Sequence, residues 1–405
     1  MENSDFDLDI DLTEEMLAAR TTCRRFAREV MRPVGQQLDR LTAEQVIAAD
    51  SPLWTVLKRY TALGFGGGAD IGAADLSPAQ SSLLHAIVVE ELAWGDSGIF
   101  ITCGLNNIMP QIARGFGRPD LAEFFAQRDE IACLAVTEPG HGSDHIAFTE
   151  PGYRDPRIKP ALKVRRQGDD FLLNGQKAAW VSCGTIAGSC ILFGSFEDSP
   201  IGLADGAAFL IPLDLPGITR GKPLEKLGQR TLNQGEIFFS DVRVPRRFLL
   251  AEGAETYPLI WEAMIRDANL HMGPQFVGVA RAAYDCALDY AKQWVQGGVP
   301  IIQHQAVKVR LFDMFRKVEA ARSHARRVAV ANAVKPGGVP FQHAVSVKVL
   351  CTQTAFEVAS DALQLFGGNG LTKEYPIEKL FRDARASLIE DGENGMLGIM
   401  AASRL

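Results

Sequence analysis

Ala135-Val136-Thr137-Glu138-Pro139-Gly140-His141-Gly142-Ser143-Asp144 is the stretch on which the reading of this chain turns. A β-prone run over 131–137 stops at a glycine-rich turn with hydroxyls on both sides. Glycine lets the backbone approach a ligand closely, and exposed N–H groups with Thr or Ser bind ring carbonyls or phosphates. On spacing alone the stretch is either a surface β-turn or such a cradle. It also marks a change of texture. Upstream, Met16, Ala19, Cys23, Phe26, Ala27 and Val30 recur at helical spacing, and Pro33 ends or bends that run. Ser51-Pro52 and Ser77-Pro78 each read as an N-cap followed by proline in the first turn, the second opening a helix to Leu92. A less regular helical pattern spans 96–116, with Pro110 inside it.

Downstream, short β-rich runs cover 162–167, 170–173, 176–182, 189–195, 207–213 and 235–244. Gly168-Asp169-Asp170 and Asn174-Gly175 read as turns between them. From about residue 255 the pattern is helical again, in long segments at 257–295, 304–333 and 342–365, with a kink expected at Pro274. The expected organisation is an N-terminal helical domain (1–130), a middle β domain (131–248) and a C-terminal helical bundle (249–405).

The composition fits a globular enzyme-sized chain: 405 residues, 47% apolar and 22% charged, enough for two or three domains. A net charge of −7 argues against a nucleic-acid partner, and no apolar run approaches the ~20 residues of a membrane span. Residues 1–15 are acidic, unlike a secretory or mitochondrial leader, and the seven cysteines are scattered without a C-x-x-C pair. A cytoplasmic location with reduced thiols is the expectation.

Three further segments carry chemistry. Leu173-Asn174-Gly175-Gln176-Lys177-Ala178-Ala179-Trp180-Val181-Ser182 places a large flat ring beside a hydroxyl, so Trp180 is either core or the flank of an aromatic cofactor. Gln364-Leu365-Phe366-Gly367-Gly368-Asn369-Gly370 reads as a helix end followed by glycines. Glu390-Asp391-Gly392-Glu393 crowds carboxylates together, which raises their pKa values and suits a general base, though a solvated acidic loop has the same composition. Two other patterns are set aside. Gly64-Phe65-Gly66-Gly67-Gly68-Ala69 follows a helical pattern where a dinucleotide loop needs a strand, and His141 and His145 flank a glycine turn rather than share a helix face, so no metal site is expected.

Taken in order, these segments resemble the acyl-CoA dehydrogenase family along nearly the whole chain. Residues 135–144 are similar to its A-V-T-E-P-G-x-G-S-D signature and residues 174–182 to its N-G-x-K-x-W-[IV]-[ST] flavin segment. Glu225-Lys226-Leu227-Gly228-Gln229-Arg230, Val242-Arg243-Val244-Pro245, Glu374-Tyr375-Pro376 and Arg382-Asp383-Ala384 add matches in the family's order. The resemblance implies a mainly α fold with a central β-barrel and a C-terminal four-helix bundle, assembled as a homotetramer or dimer. It implies FAD, with Val136, Thr137, Gly142, Ser143, Trp180 and Ser182 at the flavin and Gln364, Gly367 and Gly368 at the adenine end of a neighbouring subunit's cofactor. It further implies an acyl-CoA substrate near Ser143, Asn269 and Gly392, an electron-transferring flavoprotein as acceptor, and a carboxylate base. Counting without gaps from Gln364, that base is Asp391, with Glu390 the second candidate.

The chain departs from the family where cofactor and base meet. Asp391 stands for the family's Glu, and its carboxylate sits about one carbon–carbon bond, ~1.5 Å, further back. The alternative base position on the first long bundle helix is Ala268, beside Asp267, and the arginine that follows it in the family is Asn269. Trp294 and Gly297 replace the Arg and Phe of R-x-x-F-G, Glu393 replaces a Thr, and Gly398 replaces an Arg. Two other readings therefore stand beside the dehydrogenase: a flavin oxidase of the same superfamily on a substrate without CoA, and a non-catalytic paralogue or partner subunit.

Overall fold

The computed structural model describes residues 8–9, 12–65 and 76–405, so Gly66-Gly67-Gly68-Ala69 of the dinucleotide-like stretch lie outside the described residues. Eight helices come first: α1 (Glu14–Phe26), α2 (Arg32–Leu38), α3 (Ala43–Val46), α4 (Pro52–Tyr60), α5 (Pro78–Gly95), α6 (Ser97–Leu105), α7 (Met109–Gly115) and α8 (Pro119–Ala126). Ser51 and Ser77 cap α4 and α5 as expected, each side chain accepting a backbone N–H, and Ser77 with Gln80 forms a full capping box. A π-helical turn, Ala27–Met31, joins α1 to α2, so Pro33 sits in the first turn of the second segment. Pro110 likewise opens α7 rather than interrupting a helix. Through its second half α5 is buried on every side, which makes it the pillar between the N-terminal helices and the bundle.

The middle domain holds β1 (Ala132–Ala135), β2 (Lys163–Gln167), β3 (Asp170–Ser182), β4 (Ser189–Phe196), β5 (Gly206–Pro212), β6 (Ile218–Arg220), β7 (Gln234–Val244) and β8 (Leu249–Glu252). They form one sheet in the order β6-β7-β3-β2-β4-β5-β8, with β1 parallel to β4. Among the described residues the end strands β6 and β8 are not hydrogen-bonded to each other.

Asn174-Gly175 is a correction. It is not a hairpin turn but a bulge inside β3, where the register against β7 slips between Leu173 and Gly175. Asn174 clamps Asp241 across the bulge through two bonds, at 3.0 and 2.9 Å. Gly175 has φ 130, and a Cβ there would lie 1.9 Å from the Ala161 carbonyl oxygen. The Asn-Gly pair that signals a turn in sequence serves here to let a loop press on the strand.

The C-terminal part comprises α9 (Tyr257–Gln293), a small hairpin of β9 (Val295–Gln296) and β10 (Val299–Pro300), α10 (Gln305–Val334), α11 (Phe341–Phe366), α12 (Ile377–Ser387) and α13 (Asn394–Ala402). α9 passes through Pro274 as one 37-residue helix. Among the described residues no helix is long and apolar enough to cross a membrane.

Candidate active site

The acidic turn lies between α12 and α13, and it is under strain. Asp391 takes φ 47, in the left-handed region that a non-glycine residue enters at a cost, and Gly392 follows with φ 102. A Cβ on Gly392 would lie 2.8 Å from Leu397 Cδ2 and 2.9 Å from Ile146 Cδ1. The turn is therefore pressed against the short helical turn Ser143–Ile146 that ends the glycine-rich loop. Two segments far apart in sequence, each expected to carry chemistry, meet between the β domain and the bundle.

Strain persists only where the surroundings fix it. Asn269 Nδ2 of α9 donates to the Asp391 carbonyl at 3.0 Å. Lys348 Nζ of α11 donates to the Gly392 carbonyl and to Asn394 Oδ1, both at 2.6 Å, and Asn394 Nδ2 donates to Thr352 Oγ1 at 3.1 Å. The substrate contact expected of Asn269 is not what its placement gives: the side chain is fully buried and holds the backbone of Asp391. Asp267 points to the outside and pairs with Arg266 at 3.2 Å.

Asp391 is exposed as a residue, while neighbouring protein crowds its carboxyl. Burial raises its pKa above the usual carboxylate range, and the Lys348 ammonium pulls it back down. Glu390 faces the other way, accepting from Gln229 Nε2 at 3.0 Å. Burial pushes its carboxyl up to about 7; Asp391 adds to the rise, while Gln229, Lys226 and Lys348 oppose it. Burial lowers Lys226 and Lys348 to about 8 each. The turn thus carries one acid, Glu390, raised to about 7, with two ammonium groups lowered to about 8 beside it.

Gln229 is itself held from behind. Its N–H donates to Asp383 Oδ1 at 2.5 Å, and Lys379 bridges Asp383 and Asp96 at 2.5 and 2.7 Å. Asp96 Oδ1 accepts the Thr231 hydroxyl at 2.6 Å. The Arg382-Asp383-Ala384 motif is thus part of the frame that positions Gln229 against Glu390.

The glycine-rich loop is anchored by a buried pair. Lys177 Nζ lies 2.7 Å from both the Val136 carbonyl and Glu138 Oε1, and Glu138 Oε2 accepts from Ala161 and Leu162 N–H at 2.6 and 3.1 Å. Val136, Thr137 and Ser143 are half-buried. The Gly142 N–H is taken by Asp144 Oδ1 at 2.7 Å, so its backbone closes the loop. A second slip in the β3–β7 register, between Lys177 and Val181, releases Ala178–Trp180 from the ladder. Ala178 N–H goes instead to the Thr137 carbonyl at 2.8 Å, and Trp180 is 59% exposed rather than core. Gln234 Nε2 reaches the Trp180 carbonyl and Ser182 Oγ at 3.2 Å each. Gln364, Gly367 and Gly368 are exposed at the end of α11, away from this group. Trp294 and Gly297 lie near that end: Trp294 stacks on Tyr290 at 5.4 Å, and Tyr290 on Phe366 at 3.9 Å. Glu393 caps α13, accepting from Met396 N–H at 3.0 Å, which accounts for a carboxylate there.

Residues 13–126 match the acyl-CoA dehydrogenase N-terminal domain, 133–242 its middle domain and 263–405 its C-terminal domain. The chain belongs to the acyl-CoA dehydrogenase family. It is 30% identical over 407 residues to the short-chain specific acyl-CoA dehydrogenase of Bos taurus mitochondria, covering 98% of this chain and 91% of that one. It is 28% identical to the acryloyl-CoA reductase (NADH) of Anaerotignum propionicum, covering 98% of this chain and 95% of that one. The solved structure of butyryl-CoA dehydrogenase from Megasphaera elsdenii superposes with a TM-score of 0.81 at 25% identity, over 98% of this chain and 99% of that one.

Acyl-CoA dehydrogenases are flavin-dependent oxidoreductases, and FAD is the cofactor. The residues present fit its flavin end. The Trp180 ring stands clear of the sheet, and a Cβ at Gly140 or Gly142 would meet no atom within 4 Å, which leaves room for a close approach.

Sequence reading found the acid pair and the loop but missed Gln229, Lys226, Lys348 and Asn394. A signal for Lys348 exists: it stands alone in the apolar run Val345-Ser346-Val347-Lys348-Val349-Leu350-Cys351, where a cation needs a buried partner. Gln229 carries none, because its role depends on a contact 161 residues away.

Proposed function

We propose that this protein desaturates an acyl-CoA thioester between its α and β carbons, with Asp391 as the base that removes the α proton. The observation that supports the reading is the close packing of Gly392 on Ile146, which brings the backbone of the acidic turn against the Ser143–Ile146 turn. When bound, FAD accepts the β hydrogen as hydride. Val136, Thr137, Trp180 and Ser182 would hold its ring; Gln364, Gly367 and Gly368, exposed at the far end of α11, would serve a neighbouring subunit's cofactor in a homo-oligomer. An electron-transferring flavoprotein is the proposed acceptor.

The chain's own residues then do three things. Asn269 and Lys348 fix the successive carbonyls of Asp391 and Gly392, which offsets the shorter reach of Asp by holding the turn in place. The Lys348 charge lowers the Asp391 pKa and so opposes the rise that burial imposes. The backbone N–H of Asp391 would serve a thioester oxygen that gains negative charge as the proton leaves. Asp391→Asn is expected to lower turnover by ~100-fold to 10,000-fold, the range for a lost general base, while the purified protein stays yellow. Unchanged turnover with a panel of CoA thioesters and an artificial acceptor removes Asp391 from this role.

A second base has one observation behind it. Glu390, raised to about 7, is poised to exchange a proton near neutral pH. Its carboxylate is already engaged by Gln229, so it ranks second. Glu390→Gln with turnover lost and Asp391→Asn with turnover kept would invert the assignment.

A further inference from the structure

The loop between β6 and β7 folds back on the start of β7. Gly221 N–H donates to the Glu236 carbonyl at 2.9 Å, and Leu224 N–H to the Gln234 carbonyl at 3.0 Å. This return brings Lys226 to the Gln234 side chain, where Lys226 Nζ donates to Gln234 Oε1 at 2.9 Å. Gln234 pairs with Ser182 across the β3–β7 ladder. Its Nε2 reaches Ser182 Oγ and the Trp180 carbonyl at 3.2 Å each. Val181 is buried, whereas Trp180 is exposed and Ser182 half-buried, so Trp180 and Ser182 share the open face of the strand.

Each of these bonds runs in one direction. Burial lowers the Lys226 pKa to about 8, which leaves an ammonium at pH 7 that donates and never accepts. The Trp180 carbonyl accepts and never donates. Together they clamp the Gln234 amide from its two ends, oxygen toward Lys226 and nitrogen toward Trp180. The amide nitrogen is a donor with two hydrogens. One serves the Trp180 carbonyl and the other Ser182, so Ser182 Oγ is the acceptor in that contact. Its own hydrogen must therefore go elsewhere, and among the described residues it has no acceptor.

We infer that Lys226 and Gln234 are positioning residues that fix the Ser182 hydroxyl as a donor to an acceptor atom of the FAD ring. This rests on the reading above that Ser182 stands at the flavin. A free serine hydroxyl donates or accepts with equal ease. The clamp removes the second choice before the cofactor arrives, so less ordering is left to the binding step. A ring carbonyl or bare ring nitrogen suits such a hydroxyl, and a ring N–H does not. The attraction of Glu390 for Lys226 ties this clamp to the acidic turn.

The test is a double-mutant cycle on Ser182 and Gln234, read at pH 7 as the FAD dissociation constant and the flavin absorbance spectrum, neither of which needs turnover. Ser182→Ala is expected to weaken FAD binding by ~3-fold to 10-fold and to shift the absorbance bands. Gln234→Glu sets a carboxylate oxygen against Ser182, so the hydroxyl turns round and offers the ring a lone pair. Its weakening factor is expected to be at least ~3-fold larger with the Ser182 hydroxyl than without it; what remains without it is the lost Trp180 contact. Gln234→Met frees the hydroxyl instead of reversing it, and should give a smaller coupling in the same sense. Lys226→Met should move both readouts part of the way, and Lys226→Arg, still a pure donor, should restore them. Equal factors with and without the Ser182 hydroxyl, for both Gln234 variants, overturn the inference, because position 234 then acts through packing alone. An Arg variant as impaired as the Met one takes Lys226 out of the clamp. If Ser182→Ala changes neither readout, Ser182 is not at the flavin and the underlying reading fails as well.

Discussion

Two clusters of charge in this molecule are built to opposite plans. At the joint between the N-terminal helices and the bundle, Glu90 and Glu91 of α5 meet four arginines. Arg281 reaches them at 2.6 and 2.5 Å, Arg326 reaches Glu90 at 2.8 Å, Arg322 reaches it at 3.1 Å, and Arg24 reaches Glu91 at 2.7 Å. Burial pushes both carboxyls up, but the arginines outweigh it and hold them below their ordinary range. At the acidic turn Glu390 has a neutral amide as its hydrogen-bond donor, and the Lys348 ammonium is spent on the Gly392 carbonyl and Asn394 rather than on a carboxylate. There burial wins and both carboxyls rise. Full pairing locks a proton equilibrium and serves the fold; partial pairing leaves it movable, as a base requires.

The comparison can be broken from its structural side first. Arg281→Met removes the one arginine shared by both buried carboxylates and is expected to destabilise the protein by ~3 kcal/mol in denaturant titration, with activity per folded molecule unchanged. A mild effect would mean that the joint is not held by its charges.

Lys348→Met is expected to act on both counts. It leaves the Gly392 carbonyl without its donor, at a cost of ~1–3 kcal/mol. It also removes the cation that lowers Asp391, so the acid limb of kcat/KM moves to higher pH. Lys348→Arg keeps the charge and should move the limb less. A purely structural lysine would change the melting temperature and leave the pH profile in place.

Glu390→Gln sharpens the same point at the smallest scale. A carboxyl whose folded pKa is raised from 4.5 to about 7 stabilises the fold most below pH 4.5, and that contribution fades as pH rises through 7. The melting temperature of the parent should therefore fall between about pH 5 and 7.5 relative to the Gln variant. Parallel curves would show that Glu390 is not raised.

The two clusters also differ in how far the sequence reveals them. Helix starts at Ser51 and Ser77 are local signals, written within four residues, and they were legible. So were the glycine-rich loop and the acidic turn, because their composition is unusual over ten residues or fewer. Asn174-Gly175 misled, since its local chemistry is that of a hairpin and the contact that makes it a bulge comes from Ala161. The exposure of Trp180 depends on a register slip against β7, which no local pattern encodes. The partners that decide the two plans, Arg281 for Glu90 and Gln229 for Glu390, lie 191 and 161 residues away. Fold class and the identity of the acids could be read locally; the difference between a locked and a movable carboxylate could not.

The most direct measurement is anaerobic reduction of the flavin by a single equivalent of acyl-CoA thioester, followed by loss of its yellow colour in the parent, Asp391→Asn and Glu390→Gln enzymes. Bleaching that persists in Glu390→Gln and slows by at least ~100-fold in Asp391→Asn is the predicted result. Bleaching of Asp391→Asn at the parental rate would contradict it.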